Sequence, residues 1–175
     1  MQSTRHGKGF TLVELVVVLA IIGLLAGVAV PTIMNYRSRR ARDVGDAALV
    51  LRATLRIART YAIQNRVRAG VFFSDVNPQY QFRRYHLEYE DKVAGEWVRP
   101  LGDLAKDTVL PENAGLVLDE TVIVVDGVPA HYFDPTGTLD NASALKANIK
   151  VRDNNGLVDD ATVEILRATG RVRIR

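Results

Sequence analysis

The sequence predicts an α+β protein in which a long N-terminal α-helix packs on a C-terminal antiparallel β-sheet domain. Two observations lead to this fold class. Apolar residues are nearly continuous at first and then recur at spacings of three and four residues to about Val67. From Arg68 onward they fall in short alternating runs separated by glycine, proline and asparagine. A chain of 175 residues has room for one modest globular domain beside the apolar segment.

The apolar segment is long enough to cross a membrane. Between Phe10 and Met34 the only ionisable side chain is that of Glu14. As a helix, residues 10–34 would measure about 37 Å, which exceeds the roughly 30 Å of a hydrocarbon core. A carboxylate at such a depth costs about 3 kcal/mol on insertion scales. Glu14 therefore either faces a partner charge or lies near the interface and snorkels, and the residues alone leave both alternatives open.

Three residues within this segment bear on helix packing. Gly23 and Gly27 form a G-x-x-x-G pair, which permits close contact between helices but also occurs often by chance. Pro31 lacks a backbone N–H, so we expect the helix to bend or loosen just before it.

The stretch Gly9-Phe10-Thr11-Leu12-Val13-Glu14 resembles the type IV prepilin processing motif shared by type IV pilins and the pseudopilins of type II secretion. The resemblance implies that prepilin peptidase cuts after Gly9 and that the new N-terminal Phe10 is N-methylated. It also implies that Glu14 guides the subunit into a filament, and Pro31 falls where pilins commonly have a proline. A cut after Gly9 would place an α-amine on Phe10, four residues from Glu14, where it or its counterpart on a neighbouring chain could neutralise the acid.

The same resemblance implies a division of the chain and a location. Residues 1–9 would be the cleaved leader, 10–34 the transmembrane and filament-core helix, 35–67 an amphipathic helical spine, and 68–175 a β-rich globular head. The protein would cross the bacterial inner membrane once, with its N-terminus cytoplasmic before processing and its C-terminal domain outside the cytoplasm, and would then enter a pilus or pseudopilus. Its partners would be other pilins or pseudopilins, prepilin peptidase, inner-membrane lipid and the inner-membrane assembly platform. Basic residues flank the segment almost evenly, so charge alone does not set this topology.

The second part of the predicted helix has one apolar face. The residues of that face recur at alternating spacings of four and three: Val44, Ala48, Leu51, Leu55, Ala58 and Ala62. Half of them are alanine, so a broad element such as a sheet can approach closely. An arginine cluster at residues 37–42 either lies at the outer membrane face or between subunits, or forms an ordinary solvated helix face.

The remaining chain reads as strands. The predicted runs are AGVFFS (69–74), YQFRRYHLEYE (80–90), GLVLD (115–119), TVIVV (121–125) and AHYF (130–133). At the C-terminus, ATVEIL and RVRIR should form a hairpin that turns at residues 168–170. Its inward residues would be Val163, Ile165, Val172 and Ile174, and its outward residues Arg167, Arg171, Arg173 and Arg175.

Three later stretches extend the resemblance. LRATLRIARTYAIQNR (51–66), FDPTGTL (133–139) and GRVRIR (170–175) are similar to the GspH/FimT group of minor pseudopilins and minor pilins. In FimT-like proteins a terminal G-R-x-R pattern is associated with DNA capture, and Gly170, Arg171 and Arg173 match it. This implies an alternative function, non-specific DNA binding during uptake through Arg167, Arg171, Arg173 and Arg175. A solvated strand face would look the same, and the choice between secretion and pilus machinery stays open.

Little in the sequence indicates catalysis. His6, His86 and His131 stand singly, and no nucleophile elbow, P-loop or zinc motif is present. We therefore expect a protein that is not an enzyme and that has no cofactor and no metal. The acidic stretch 153–160 lacks the EF-hand spacing of a calcium loop and is interpreted as a solvated turn between strands. The absence of cysteine excludes disulfides.

Overall fold

The computed structural model describes residues 11–76, 82–119, 122–140 and 145–175. A single helix, α1, runs from Leu12 to Asn65 and ends two residues before the expected position. It continues through position 31, so Pro31 does not interrupt it. The chain divides into two compact units between Arg39 and Arg40. The finer division at residues 9, 34 and 67 stays a prediction.

In the first unit the apolar side chains of α1 are exposed. Leu12, Leu24 and Met34 have 77%, 71% and 64% of their surface accessible, and the large apolar side chains between them that the structure describes are also exposed. Among the described residues, α1 is the one helix that is long and apolar enough to cross a membrane. No described residue of this unit covers its apolar surface.

The described residues of the second unit form ten strands in two antiparallel sheets. The strands are β1 Ala69–Ser74, β2 Arg84–Glu90, β3 Trp97–Val98, β4 Thr108–Val109, β5 Ala114–Leu118, β6 Ile123–Val125, β7 Val128–Phe133, β8 Lys146–Asp153, β9 Ala161–Leu166 and β10 Arg171–Ile174. One sheet has the order β3-β2-β1-β7-β6, with β4 also paired to β2, and the other has the order β10-β9-β8-β5. A short 3₁₀ helix, Gly102–Ala105, lies between β3 and β4.

The predicted face of α1 is the buried one, which confirms the spacing argument. Its six residues, Val44, Ala48, Leu51, Leu55, Ala58 and Ala62, are at most 2% exposed. They join one core cluster with residues of both sheets, including Phe73, Tyr85 and Ile165. The fold class, a long N-terminal helix packed on antiparallel sheet, is thus the one the sequence predicts.

Several predicted strands are confirmed and others were missed. β1 has the predicted bounds, and the C-terminal hairpin forms with Val172 opposite Ile165. The described part of the second predicted strand begins as β2 at Arg84. β8 was not predicted, nor were the two-residue strands β3 and β4, and the head has two sheets where the sequence suggested one.

Candidate functional site

Part of the N-terminal motif lies within the described residues. Gly9 and Phe10 lie outside them, whereas Thr11 and Glu14 begin the helix. The Thr11 backbone N–H and hydroxyl both donate to Glu14 Oε2, at 3.1 and 3.0 Å. In return, the Glu14 backbone N–H donates to Thr11 Oγ1 at 3.2 Å. This reciprocal arrangement is a capping box, which satisfies backbone donors at the start of a helix.

The capping box is a third role for Glu14 beside the two that the sequence left open. It gives the carboxylate a local reason to be present at the beginning of an apolar helix. Both donors from Thr11 end on the same oxygen, Oε2, and a carboxylate has about four acceptor sites in all. Capping is therefore compatible with an additional bond from a cation outside the chain.

The two glycines of the G-x-x-x-G pair present an open surface. A Cβ built on Gly23 or on Gly27 would meet no atom within 4 Å, apart from the helix's own backbone. A helix that packs closely there must therefore come from outside the described chain. For Pro31 the structure describes only the helical backbone at that position.

The C-terminal arginines differ from one another in their surroundings. Arg173 Nε donates to Glu164 Oε2 at 2.6 Å, and Arg175 Nε lies 3.2 Å from the same oxygen. Lys146 Nζ lies 3.2 Å from Glu164 Oε1. The hydrogen bond from Arg173 and the nearby positive charges lower the pKa of Glu164 to about 2, although its burial acts in the opposite direction. Two of the four arginines that were expected to face outward, Arg173 and Arg175, are thus paired with one buried acid, Glu164.

Arg171, by contrast, belongs to a basic cleft between α1 and the turn from β9 to β10. The cleft has a volume of about 450 Å³, and its lining includes Arg56, Arg59, Thr60, Thr169 and Arg171. None of the described residues that line it is acidic. The backbone of Arg167, the fourth predicted arginine, bonds both Leu145 and Leu139.

The turn that contains the FDPTG stretch contacts Arg59, one of the residues that line this cleft. Asp134 accepts hydrogen bonds from the backbone N–H groups of Thr136 and Thr138, at 2.8 and 3.1 Å, and also from both hydroxyls. Burial alone would raise the pKa of Asp134, but these hydrogen bonds bring it below its ordinary value. The turn directs the Gly137 carbonyl at α1, where it accepts from Arg59 Nε at 3.0 Å.

One arginine of the 37–42 cluster is a structural residue of the second unit. Arg40 is only 9% exposed, and its Nη1 donates to Asp153 Oδ1 at 2.9 Å. Asp153, 1% exposed, also accepts from the backbone N–H of Leu157 through Oδ2. The stretch 153–160 does join two strands, but the interpretation as a solvated turn is wrong at Asp153, because α1 covers its carboxylate.

Neither described histidine lies among groups that suggest catalysis. His86 Nε2 donates to Glu88 Oε1 at 2.9 Å on the outer face of the first sheet. His131 is 1% exposed, and the edge of its ring meets Phe73, with centroids 5.9 Å apart. Burial lowers the pKa of His131 to about 4, against a smaller opposite effect of the Asp119 charge. His6 lies outside the described residues, and the expected absence of catalysis stays a prediction.

Comparison with known proteins places the N-terminal motif in a family. The model of the prokaryotic N-terminal methylation motif matches residues 4–30. Fimbrial protein Q of Moraxella bovis is 51% identical over 43 residues, which are 23% of this chain and 27% of that protein. The type IV major pilin protein PilE1 of Neisseria gonorrhoeae is 36% identical over 81 residues, 42% of this chain and 48% of that protein. The chain thus spans less than half the length of these curated relatives.

Solved structures resemble about three quarters of the chain. The minor pseudopilin EpsH of the Vibrio cholerae type 2 secretion system matches with a TM-score of 0.58 at 16% identity, over 76% of this chain and 96% of that chain. The type IV minor pilin FimU of Pseudomonas aeruginosa matches with a TM-score of 0.53 at 17% identity, over 77% and 90%.

The methylation motif at the start of a long helix and the antiparallel β head resemble those of type IV pilin-like proteins. Within that class, its fold is that of the minor pseudopilins and minor pilins.

Proposed function

We propose that the chain is a minor structural subunit of a helical filament, either the type II secretion pseudopilus or a type IV pilus. Prepilin peptidase would cut after Gly9 in the inner membrane, and the new N-terminal Phe10 would be N-methylated. The observation that carries the proposal is the exposed apolar surface of the described side chains in residues 12–34, which begins within the processing motif.

An apolar surface of this size needs a cover. Lipid covers this surface while the subunit is in the membrane, and neighbouring helices cover it when subunits pack into a filament core. Contacts between non-equivalent surfaces do not close on themselves, so they generate a helical filament. Gly23 and Gly27, whose surroundings are open, would allow neighbouring helices to approach closely.

Glu14 would then serve both the helix and the filament. It caps the first turn together with Thr11. In a filament its carboxylate would also attract the α-amine of Phe10 on a neighbouring subunit, because an unpaired charge in an apolar environment is costly.

Two substitutions of Glu14 separate the capping role from the charge. Glutamine at this position of a capping box can still bond the backbone but carries no charge, whereas valine does neither. We expect Glu14→Gln and Glu14→Val both to reduce the amount of the subunit in sheared filaments at least tenfold, while its amount in membranes is unchanged. Normal incorporation of Glu14→Gln would show that the charge is not required.

One observation favours the second candidate function, non-specific DNA binding through the C-terminal arginines. Arg171 is exposed in a cleft with Arg56 and Arg59, and none of the described residues lining that cleft is acidic. Arg173 and Arg175 are less suited to bind phosphate, because Glu164 already pairs with both. If the candidate is right, the full chain in detergent should bind an oligonucleotide at low salt, and Arg171→Ala should weaken binding more than Arg175→Ala does.

A further inference from the structure

Three segments of the chain meet closely beside the basic cleft. Gly170 has a φ of 59°, and a Cβ added to it would collide with the Gly137 carbonyl oxygen and with Arg59. Arg59 in turn donates to that carbonyl oxygen at 3.0 Å. Helix α1, the Asp134 turn and the β9–β10 turn therefore meet in close contact. Charged groups held on such a support lose little freedom when a ligand binds, which favours affinity.

An apolar depression adjoins the basic cleft on the same side of α1. Its volume is about 280 Å³, and Ile57, Tyr61 and Leu104 line it. Ile57 and Leu104 are 41% and 40% exposed, although each is a large aliphatic side chain. Arg56 and Thr60 line both depressions, so the basic cleft and the apolar depression form one continuous surface.

We propose that this surface, here called the docking face, binds a segment of a neighbouring filament subunit. The segment would place a carboxylate in the basic cleft and a large apolar side chain in the adjoining depression. The proposal rests on the proposed function, because a filament supplies the neighbour. Guanidinium groups pair with carboxylates through two parallel hydrogen bonds, and three of them line a cleft whose described lining is not acidic.

The charge pattern favours a protein segment over a nucleic acid strand. A phosphodiester backbone binds best to cations that follow its repeat. The arginines along β10 and directly after it do not form such a continuous row of cations, because Arg173 and Arg175 pair with the buried Glu164. The apolar depression next to Arg56 suits an aliphatic side chain, which a sugar-phosphate backbone does not carry.

The test uses the full chain in its native host, with a photo-crosslinking amino acid at Thr60, an exposed and uncharged position that both depressions share. The sheared filament fraction is irradiated, and cross-linked peptides are identified by mass spectrometry. We expect a product with another subunit that carries an N-terminal methylation motif, joined near an acidic residue that is next to an apolar one. Charge reversal of both Arg56 and Arg171 to Glu should reduce the product at least fivefold, and so should Ile57→Asp alone.

A matched control is Lys150→Glu, which reverses an exposed cation that lines neither depression and should leave the product unchanged. Incorporation without a cross-link at Thr60, or a cross-link that survives both the double charge reversal and Ile57→Asp, would overturn the docking face alone. A cross-link to nucleic acid would also overturn it and would favour the DNA-binding candidate. Absence of the unlabelled wild-type chain from filaments would overturn the proposed function, and the docking face with it.

Discussion

The two ends of helix α1 show how one element can be built for two environments. Near its start, Leu24 is 71% exposed, whereas Leu51 in the second unit is fully buried. The second end alternates apolar and charged residues, and its own chain covers the apolar face. The first end is apolar on all sides, so no single neighbouring element of its own chain could cover it. The apolar character of a residue therefore does not by itself show that the residue belongs to the core. The distribution of apolar and charged residues around the helix shows which face is buried within the chain.

This difference separates two kinds of residue. Substitutions in the second unit should alter the free energy of unfolding, because the buried contacts are made within the chain. Substitutions of the exposed apolar residues in the first unit should alter assembly and leave the folding of the second unit unchanged, because the partners of those residues lie outside the chain. The following predictions test that separation, from the largest expected effect to the smallest.

Removal of Asp153 should have the largest effect on stability. Asp153→Ala leaves the guanidinium of Arg40 buried without its carboxylate, and the loss of one member of a buried pair costs about 3–5 kcal/mol. Urea denaturation of the full chain in detergent, followed by the fluorescence of the single tryptophan, measures the change. Asp159→Ala, at an exposed position of the same connection, should change the free energy of unfolding by less than about 0.5 kcal/mol. Equal values for the two variants would contradict a structural role for Arg40.

A pair of leucine substitutions compares the two ends of α1 directly. Leu51→Ala should lower the free energy of unfolding of the head by about 3 kcal/mol, because it opens a cavity at a fully buried site. Leu19→Ala removes the same atoms from a side chain that is 59% exposed, so the head should be unaffected. The same denaturation measurement serves for both. If Leu19→Ala destabilised the head as much as Leu51→Ala, the two ends would not differ as described.

The stability of the head should depend on pH through His131. The pKa of this residue is about 4 in the folded protein and about 6.5 in the unfolded chain, so the unfolded state binds more protons between these values. The free energy of unfolding should therefore fall by up to about 3 kcal/mol as the pH drops from 6.5 to 4. Stability from Glu164, whose folded pKa is about 2, is complete above about pH 4.5 and is lost only at lower pH.

Denaturation at several pH values distinguishes these contributions. His131→Phe should flatten the dependence between pH 6.5 and 4 and leave the fall below about pH 4.5 in place. An unchanged dependence between pH 6.5 and 4 would mean that another group is responsible.

Loss of the N-terminal cap should have the smallest effect. Thr11→Val removes the hydroxyl that bonds Glu14 and should destabilise the first helical turn by about 1 kcal/mol. Amide hydrogen exchange of residues 12–15 in detergent would detect this, and Thr11→Ser should behave like the wild type. The free energy of unfolding of the head should not change, and a change there would contradict the separation of the two units.

Local patterns in the sequence predicted the helix, its buried face and the C-terminal hairpin. They could also have revealed β8, in which Ala147, Ile149 and Val151 are buried and alternate with exposed Lys150 and Arg152. β3 and β4 have two residues each, which is too short for any periodicity. The pairing of β5 with β8, which creates the second sheet, depends on tertiary contacts that no local pattern encodes.

The same distinction holds for the candidate site. The register of the predicted hairpin places Glu164 opposite Arg173, so their pairing could have been anticipated from the sequence. Arg40 and Asp153 are 113 residues apart, and nothing in either local pattern joins them. The basic cleft also combines α1 with a distant turn, so Arg56 and Arg59 were not recognised as neighbours of Arg171.

The most direct test of the central claim is the mass and N-terminal residue of the protein recovered from membranes of its native host. The proposal predicts a chain that begins at N-methylated Phe10, with Glu14 four residues from the new terminus. A chain that still carries residues 1–9, in cells with active prepilin peptidase, would contradict the proposed processing and leave Glu14 without the α-amine proposed as its partner.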